Sequence, residues 1–175
     1  LLPISDEYGF TDSMKGAISS LFSVGYGLAI LPAGILVATL SPRIVMALGV
    51  ALWSVSTIAT PAAVRMAVDN IMPLLLVRAC VGAGESVVLP TIQRLVQAWM
   101  EPGEKSLALA VIISGFHSGT ITALLLSPIV IEVLGGWQSL FYCYGGAGLV
   151  LLIPWLILAR DAPTVKAART AATDN

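Results

Sequence analysis

Four long stretches of this chain contain no Asp, Glu, Lys or Arg: Gly16 to Pro42, Ile44 to Val64, Ser106 to Ile131 and Val133 to Ala159. Each reaches or passes the roughly 20 residues that an α-helix needs to cross a hydrocarbon core about 30 Å thick. A fifth apolar stretch, Ile71 to Trp99, has similar length but carries Arg78, Glu85 and Arg94. Over all 175 residues, 57% are hydrophobic and 11% charged, and the mean hydropathy is +0.92. A soluble domain of that size has no means of hiding so much apolar surface behind a polar exterior. The net charge of −1 lacks the basic surplus that nucleic-acid binding needs, so no nucleic-acid partner is expected. Short segments alternating between apolar and polar, the pattern of a membrane β-barrel, do not occur. The chain reads as an all-α membrane protein.

Turn chemistry divides it. Leu1 to Ile4 reads as the tail of an apolar element, and Ser5 to Asp12 as a polar loop that closes a first segment at residues 1–12. Thr11, Asp12 or Ser13 is a suitable N-cap for the next helix. Five membrane helices are expected over residues 13–40, 43–64, 71–99, 104–134 and 138–159, with Pro32 tolerated inside the first because neighbours can satisfy the freed carbonyl. The turns are Ser41-Pro42-Arg43, the loop holding Arg65 and Asp69, Glu101 to Lys105, and Gly135-Gly136-Trp137. Residues 160–175 form a polar tail. The chain opens on Leu1 and shows no signal peptide, which is expected of a piece lacking an amino-terminal part. Arg43, Lys105, Arg160, Lys166 and Arg169 collect on one side, with Arg94 nearby, against Lys15 and Arg65 on the other. The positive-inside rule then puts the tail on the cytoplasmic side or its topological equivalent.

Arg78 and Glu85 are the informative pair. A charge at mid-bilayer costs roughly 2.5–3.5 kcal/mol on insertion scales, so such residues face a bundle interior or a watery path. Spaced seven apart, they share a helix face about 10 Å from each other, too far for an ion pair between them. Each needs a partner elsewhere. Two structural ion pairs with other helices would supply it; so would an anion for Arg78 and a proton or cation for Glu85. Gly82, Ala83 and Gly84 thin the helix between the two charges, and Gly115 and Gly119 form a GxxxG step, which packing alone explains. Tyr26 needs a partner for its hydroxyl, either a backbone carbonyl or a substrate group. His117 is the single histidine, read as a packing residue or a weak pathway residue. No carboxylate stands near it in sequence to complete a catalytic arrangement, and neither Cys80 nor Cys143 has metal-ligand spacing. No catalytic residue, metal site or cofactor is expected, and the chain is not read as an enzyme.

The strings ISSLFSVGYGLAILPAGIL, RACVGAGESVVLPTIQRLVQAWMEPGEKSLAL, SGFHSGTITALLLSPIVI and GGWQSLFYCYGGAGLV, with LLPISDEYGF at the start, resemble the anion:cation symporter branch of the major facilitator superfamily. That branch includes sialin, the vesicular glutamate transporters and the plastid phosphate transporters. The most specific match runs from Arg78 through Glu85 to Pro90 and then Trp99-x-x-Pro102-x-Glu104-Lys105. The resemblance implies helices two to six of the amino-terminal six-helix half, with the first helix and the carboxy-terminal half absent. It implies a secondary transporter of small organic or inorganic anions, phosphate-like above all, coupled to Na⁺ or H⁺. Arg78 and Tyr26 would then bind substrate, Glu85 would couple the ion, and His117 and Ser19 would line the pathway. The opening string points to a plastid membrane.

The match has gaps. The family's cytoplasmic loop carries an acid where Ala38 stands and an arginine where Thr39 stands, so the latch built on that acid does not carry over. Ser19 replaces the histidine of the vesicular glutamate transporters, and Phe116 the glutamine of several sugar-acid carriers. Neither substitution favours those substrates. A competing reading is a non-transporting membrane scaffold or truncated product, which has no need of Arg78 and Glu85 in mid-helix.

Overall fold

The computed structural model describes residues 7–162. Residues 1–6 and 163–175, and with them the expected apolar start and most of the expected polar tail, lie outside the described part. Among the described residues there is no strand. From Asp12 on, six helical segments follow one another: α1 (Asp12–Thr39), α2 (Pro42–Met66), α3 (Met72–Glu85), α4 (Val88–Trp99), α5 (Lys105–Leu134) and α6 (Gln138–Leu158). With α3 and α4 taken as one span, five helices are long and apolar enough to cross a membrane.

Local chemistry accounts for several of the ends. Thr11 caps α1 by accepting from the Met14 amide at 3.3 Å. Lys15 donates to Asp12 at 3.2 Å across the same turn. Pro42 occupies the first position of α2, where its missing N–H costs nothing. α5 ends because Gly135 takes a left-handed conformation, φ +74°, which lets its N–H and that of Gly136 reach back to the Ile131 carbonyl.

The expected continuous helix from Ile71 to Trp99 is broken at Ser86 and Val87. The reason is Pro90, which has no N–H for the Ser86 carbonyl and whose ring crowds it. The backbone stays in the right-handed region at both residues, so the axis continues, and Ser86 Oγ donates to the Ala83 carbonyl at 2.7 Å.

α3 is the centre of the assembly, packed between α1 on one side and α2 on the other, while α6 packs on the far side of α2. Two glycines allow this. Gly82 lies against the Phe22 carbonyl of α1, and a Cβ there would also stand 2.9 Å from the Tyr26 nitrogen. Gly84, on the opposite side of α3, lies against the Gly49 carbonyl of α2, 2.8 Å from the place a Cβ would take. One apolar cluster, with Ile18, Val64, Leu74 and Trp137, fills the end near Glu7; a second, with Ala33, Val37, Val45 and Val87, fills the other. α5 has no buried residue and touches α4 and α6 only lightly. Polar links to α6 run from Ser127 to Tyr144, 3.0 Å between hydroxyls, and from the Tyr144 hydroxyl to the Ala123 carbonyl at 3.2 Å.

The arginine-rich end is tied by a clasp. The Asp161 carboxylate accepts from Ser41 Oγ at 2.5 Å and from the Arg43 amide at 2.8 Å, in the first turn of α2. Trp155 Nε1 donates to the Arg43 carbonyl at 3.0 Å, the Arg43 guanidinium donates to the Leu156 carbonyl, and Trp99 Nε1 donates to the Arg160 carbonyl at 3.1 Å. Each helix end thus meets the charge that its dipole favours: a carboxylate at the start of α2, a guanidinium at the end of α6.

Candidate functional site

A cavity of about 580 Å³ opens between α1, the α3–α4 span and α5. Tyr26, Glu85 and His117 all line it, together with Phe22, Gln93 and Phe116. The walls are otherwise mainly aliphatic. Tyr26 is held there because α1 approaches α3 closely at Gly82, and Glu85 because it is the last residue before the Pro90-induced break. His117 sits edge-on to the Phe116 ring, 5.8 Å between centroids.

Arg78 and Ser19 are not in that lining. Ser19 is exposed on α1, one turn before Ser23, which does line the cavity. Arg78 is half-buried, with its guanidinium carbon 5.9 Å from the centre of the Phe141 ring of α6. Its Nε is buried with no hydrogen-bond partner among the described residues. The seven-residue spacing aligns Arg78 and Glu85 in angle to within about 20°. Height separates them: the cavity extends from Glu85 toward Gln93, whereas helical side chains tilt toward the N-terminus and carry Arg78 away from it.

Among the described residues, the one ion pair is Lys15 with Asp12. Neither Arg78 nor Glu85 is neutralised by an opposite charge there, so the two structural ion pairs weighed above are not seen. No group of three His, Cys, Asp or Glu side chains stands close enough to hold a metal among those residues. The lining residues that the sequence reading passed over have a legible spacing. Phe22 and Ser23 precede Tyr26 by one turn; Leu89, Ile92 and Gln93 follow Glu85 by one and two turns; Leu109 and Ile113 precede His117 by two turns and one.

The model of the Major Facilitator Superfamily matches residues 1–174. The chain belongs to that superfamily. Its all-helical architecture, with five spans, is consistent with the amino-terminal half of a superfamily member. Relatives include the "Sodium-dependent phosphate transport protein 1, chloroplastic" of Arabidopsis thaliana, 38% identical over 163 residues, which are 93% of this chain and 31% of that protein. The "Ascorbate transporter, chloroplastic" of the same plant is 36% identical over 93% of this chain and 29% of the relative. The "Probable anion transporter 4, chloroplastic" of Oryza sativa subsp. japonica is 35% identical over 94% of this chain and 27% of the relative. The chain thus spans about three-tenths of the length of these superfamily members.

Proposed function

We propose that this chain supplies helices two to six of the amino-terminal half of a plastid-membrane secondary transporter of small anions, phosphate-like in charge and size, coupled to Na⁺ or H⁺. The observation that carries the reading is Arg78: a guanidinium inside a spanning helix, with no carboxylate beside it among the described residues. Such a group is an anion receptor, because its planar fork matches phosphate or carboxylate oxygens. The names of the relatives, phosphate, ascorbate and anion transporters of chloroplasts, support the substrate class and the membrane.

In this reading the anion moves between Arg78 and the cavity, where Tyr26 offers it a hydroxyl. Glu85, facing the same cavity with no cationic partner among the described residues, takes up and releases the coupling ion. Ser19 and His117 line the route at either side. The remaining helices of the whole protein complete the pathway, since superfamily sites lie between repeats near the membrane midplane.

The test uses the full-length protein in liposomes, with inorganic phosphate and ascorbate supplied under an imposed Na⁺ or H⁺ gradient. Saturable uptake of either is expected. Arg78→Lys keeps the charge but loses the fork, so it should abolish most uptake while the protein still inserts. Glu85→Gln should keep counterflow exchange and lose gradient-driven accumulation. Normal transport by Arg78→Lys would overturn the anion role, and gradient-driven accumulation by Glu85→Gln would overturn the coupling role. No uptake of either anion by the unaltered protein would leave the scaffold reading standing.

A further inference from the structure

We propose that Phe141 is a positioning residue for Arg78: its ring holds the guanidinium where a carboxylate would otherwise be needed, and leaves the N–H donors free for an anion. This rests on the anion-binding reading of Arg78. A cation within a membrane-spanning helix requires compensation, and among the described residues Arg78 receives none from an acid. It receives a π face instead, 5.9 Å from the guanidinium carbon to the ring centre. The difference matters for binding. A bidentate carboxylate would occupy the donor fork and cancel the charge, so an incoming anion would have to displace it. An aromatic face attracts the cation through its quadrupole and accepts no conventional hydrogen bond from the fork edge.

The ring itself is braced from behind. Trp137 stands perpendicular to Phe141, 5.8 Å between centroids and 89° between planes. Trp137 is buried, and its Nε1 donates to Glu7 Oε2 at 2.6 Å. Tyr8 closes on the other side of Trp137, 6.3 Å away and edge-on. The segment before α1 therefore fixes Trp137, Trp137 fixes Phe141, and Phe141 presents its face to Arg78. The short glycine turn after α5 places Trp137 and Phe141 one turn apart at the start of α6.

The experiment measures counterflow of inorganic phosphate and of ascorbate by the full-length protein in liposomes. Phe141→Leu and Phe141→Met keep apolar bulk and remove the π face; Phe141→Tyr keeps the face. For whichever anion the unaltered protein carries, Leu or Met should raise KM about five- to tenfold, the size of a half-buried cation–π contact, with maximal rate little changed. Phe141→Tyr should hold KM at the unaltered value. Met serves if the Leu variant does not fold. Unchanged KM in both Leu and Met variants overturns the inference, as does an equal rise in the Tyr variant, which would mark a packing role alone. Arg78→Lys, run alongside, separates the two levels. If it transports normally, the anion role of Arg78 falls; if it fails while Leu and Met leave KM unchanged, only the role of Phe141 falls.

Discussion

Replacing Gly82 by alanine tests whether the contact between α1 and α3 sets the geometry of the cavity. An added Cβ would overlap the Phe22 carbonyl oxygen and stand 2.9 Å from the Tyr26 nitrogen and 3.1 Å from the Phe22 carbonyl carbon. All three obstructing atoms are backbone, so no rotamer change relieves them, and α1 must retreat along the segment that presents Phe22 and Tyr26. Overpacking of this kind costs about 1–3 kcal/mol. Against it, alanine in a helix interior gains about 1 kcal/mol over glycine. Gly16→Ala isolates the clash, because it shares that gain at a position with nothing within 4 Å of the new atom. The two variants should therefore differ in stability by about 1–3 kcal/mol, with Gly82→Ala the weaker. Thermal unfolding of the full-length protein in detergent, followed by tryptophan fluorescence, reads the difference. Equal Tm values for the two variants would refute the argument that backbone contact at Gly82 holds α1 on α3.

Asp161→Asn should weaken the clasp at the start of α2 by about 1–2 kcal/mol, the scale of a helix cap, with Ser41→Ala producing a smaller loss of the same sign; faster proteolysis after α6 is the check. Tyr144→Phe removes the hydroxyl that joins α5 to α6 and should cost about 0.6 kcal/mol, as interhelical hydrogen bonds in membranes do. A double-mutant cycle with Ser127→Ala measures the coupling, and strict additivity would show that the bond contributes nothing. Pro90→Ala should restore an unbroken helix through Ser86 and Val87, seen as slower amide exchange at the restored position, while moving Glu85 relative to Tyr26 and lowering uptake.

The spans were legible because their signal is the absence of charge over long stretches, which needs no tertiary information. The Gly135 turn, and a cap at one of Thr11, Asp12 or Ser13, were legible for a similar reason: each is determined by its own few residues. The break at Ser86 is also written locally, in Pro90, but the length and hydropathy that mark a span do not register it. Glycines divide otherwise. Gly82 and Gly84 do press against neighbouring backbones, whereas the GxxxG pair Gly115 and Gly119 has open space around it. Spacing reveals that two small residues share a face, not whether another helix stands opposite. Arg78 shows the same limit. Its charge and depth marked it, but its ring partner lies 63 positions onward, on a helix that α2 brings close.

The clasp at Asp161 has a mechanical consequence. Tension applied to the chain beyond α6 does not run up α6 first; it reaches Ser41 and Arg43, and so pulls on the short connection between α1 and α2. The hydrogen bonds from Trp155 and Trp99 spread that load to α2 and α4. Three spans distant in sequence are therefore harnessed to one strap, and movement of whatever follows it would be felt by all of them at once. A reporter fused close behind Asp161 would tug on the same strap.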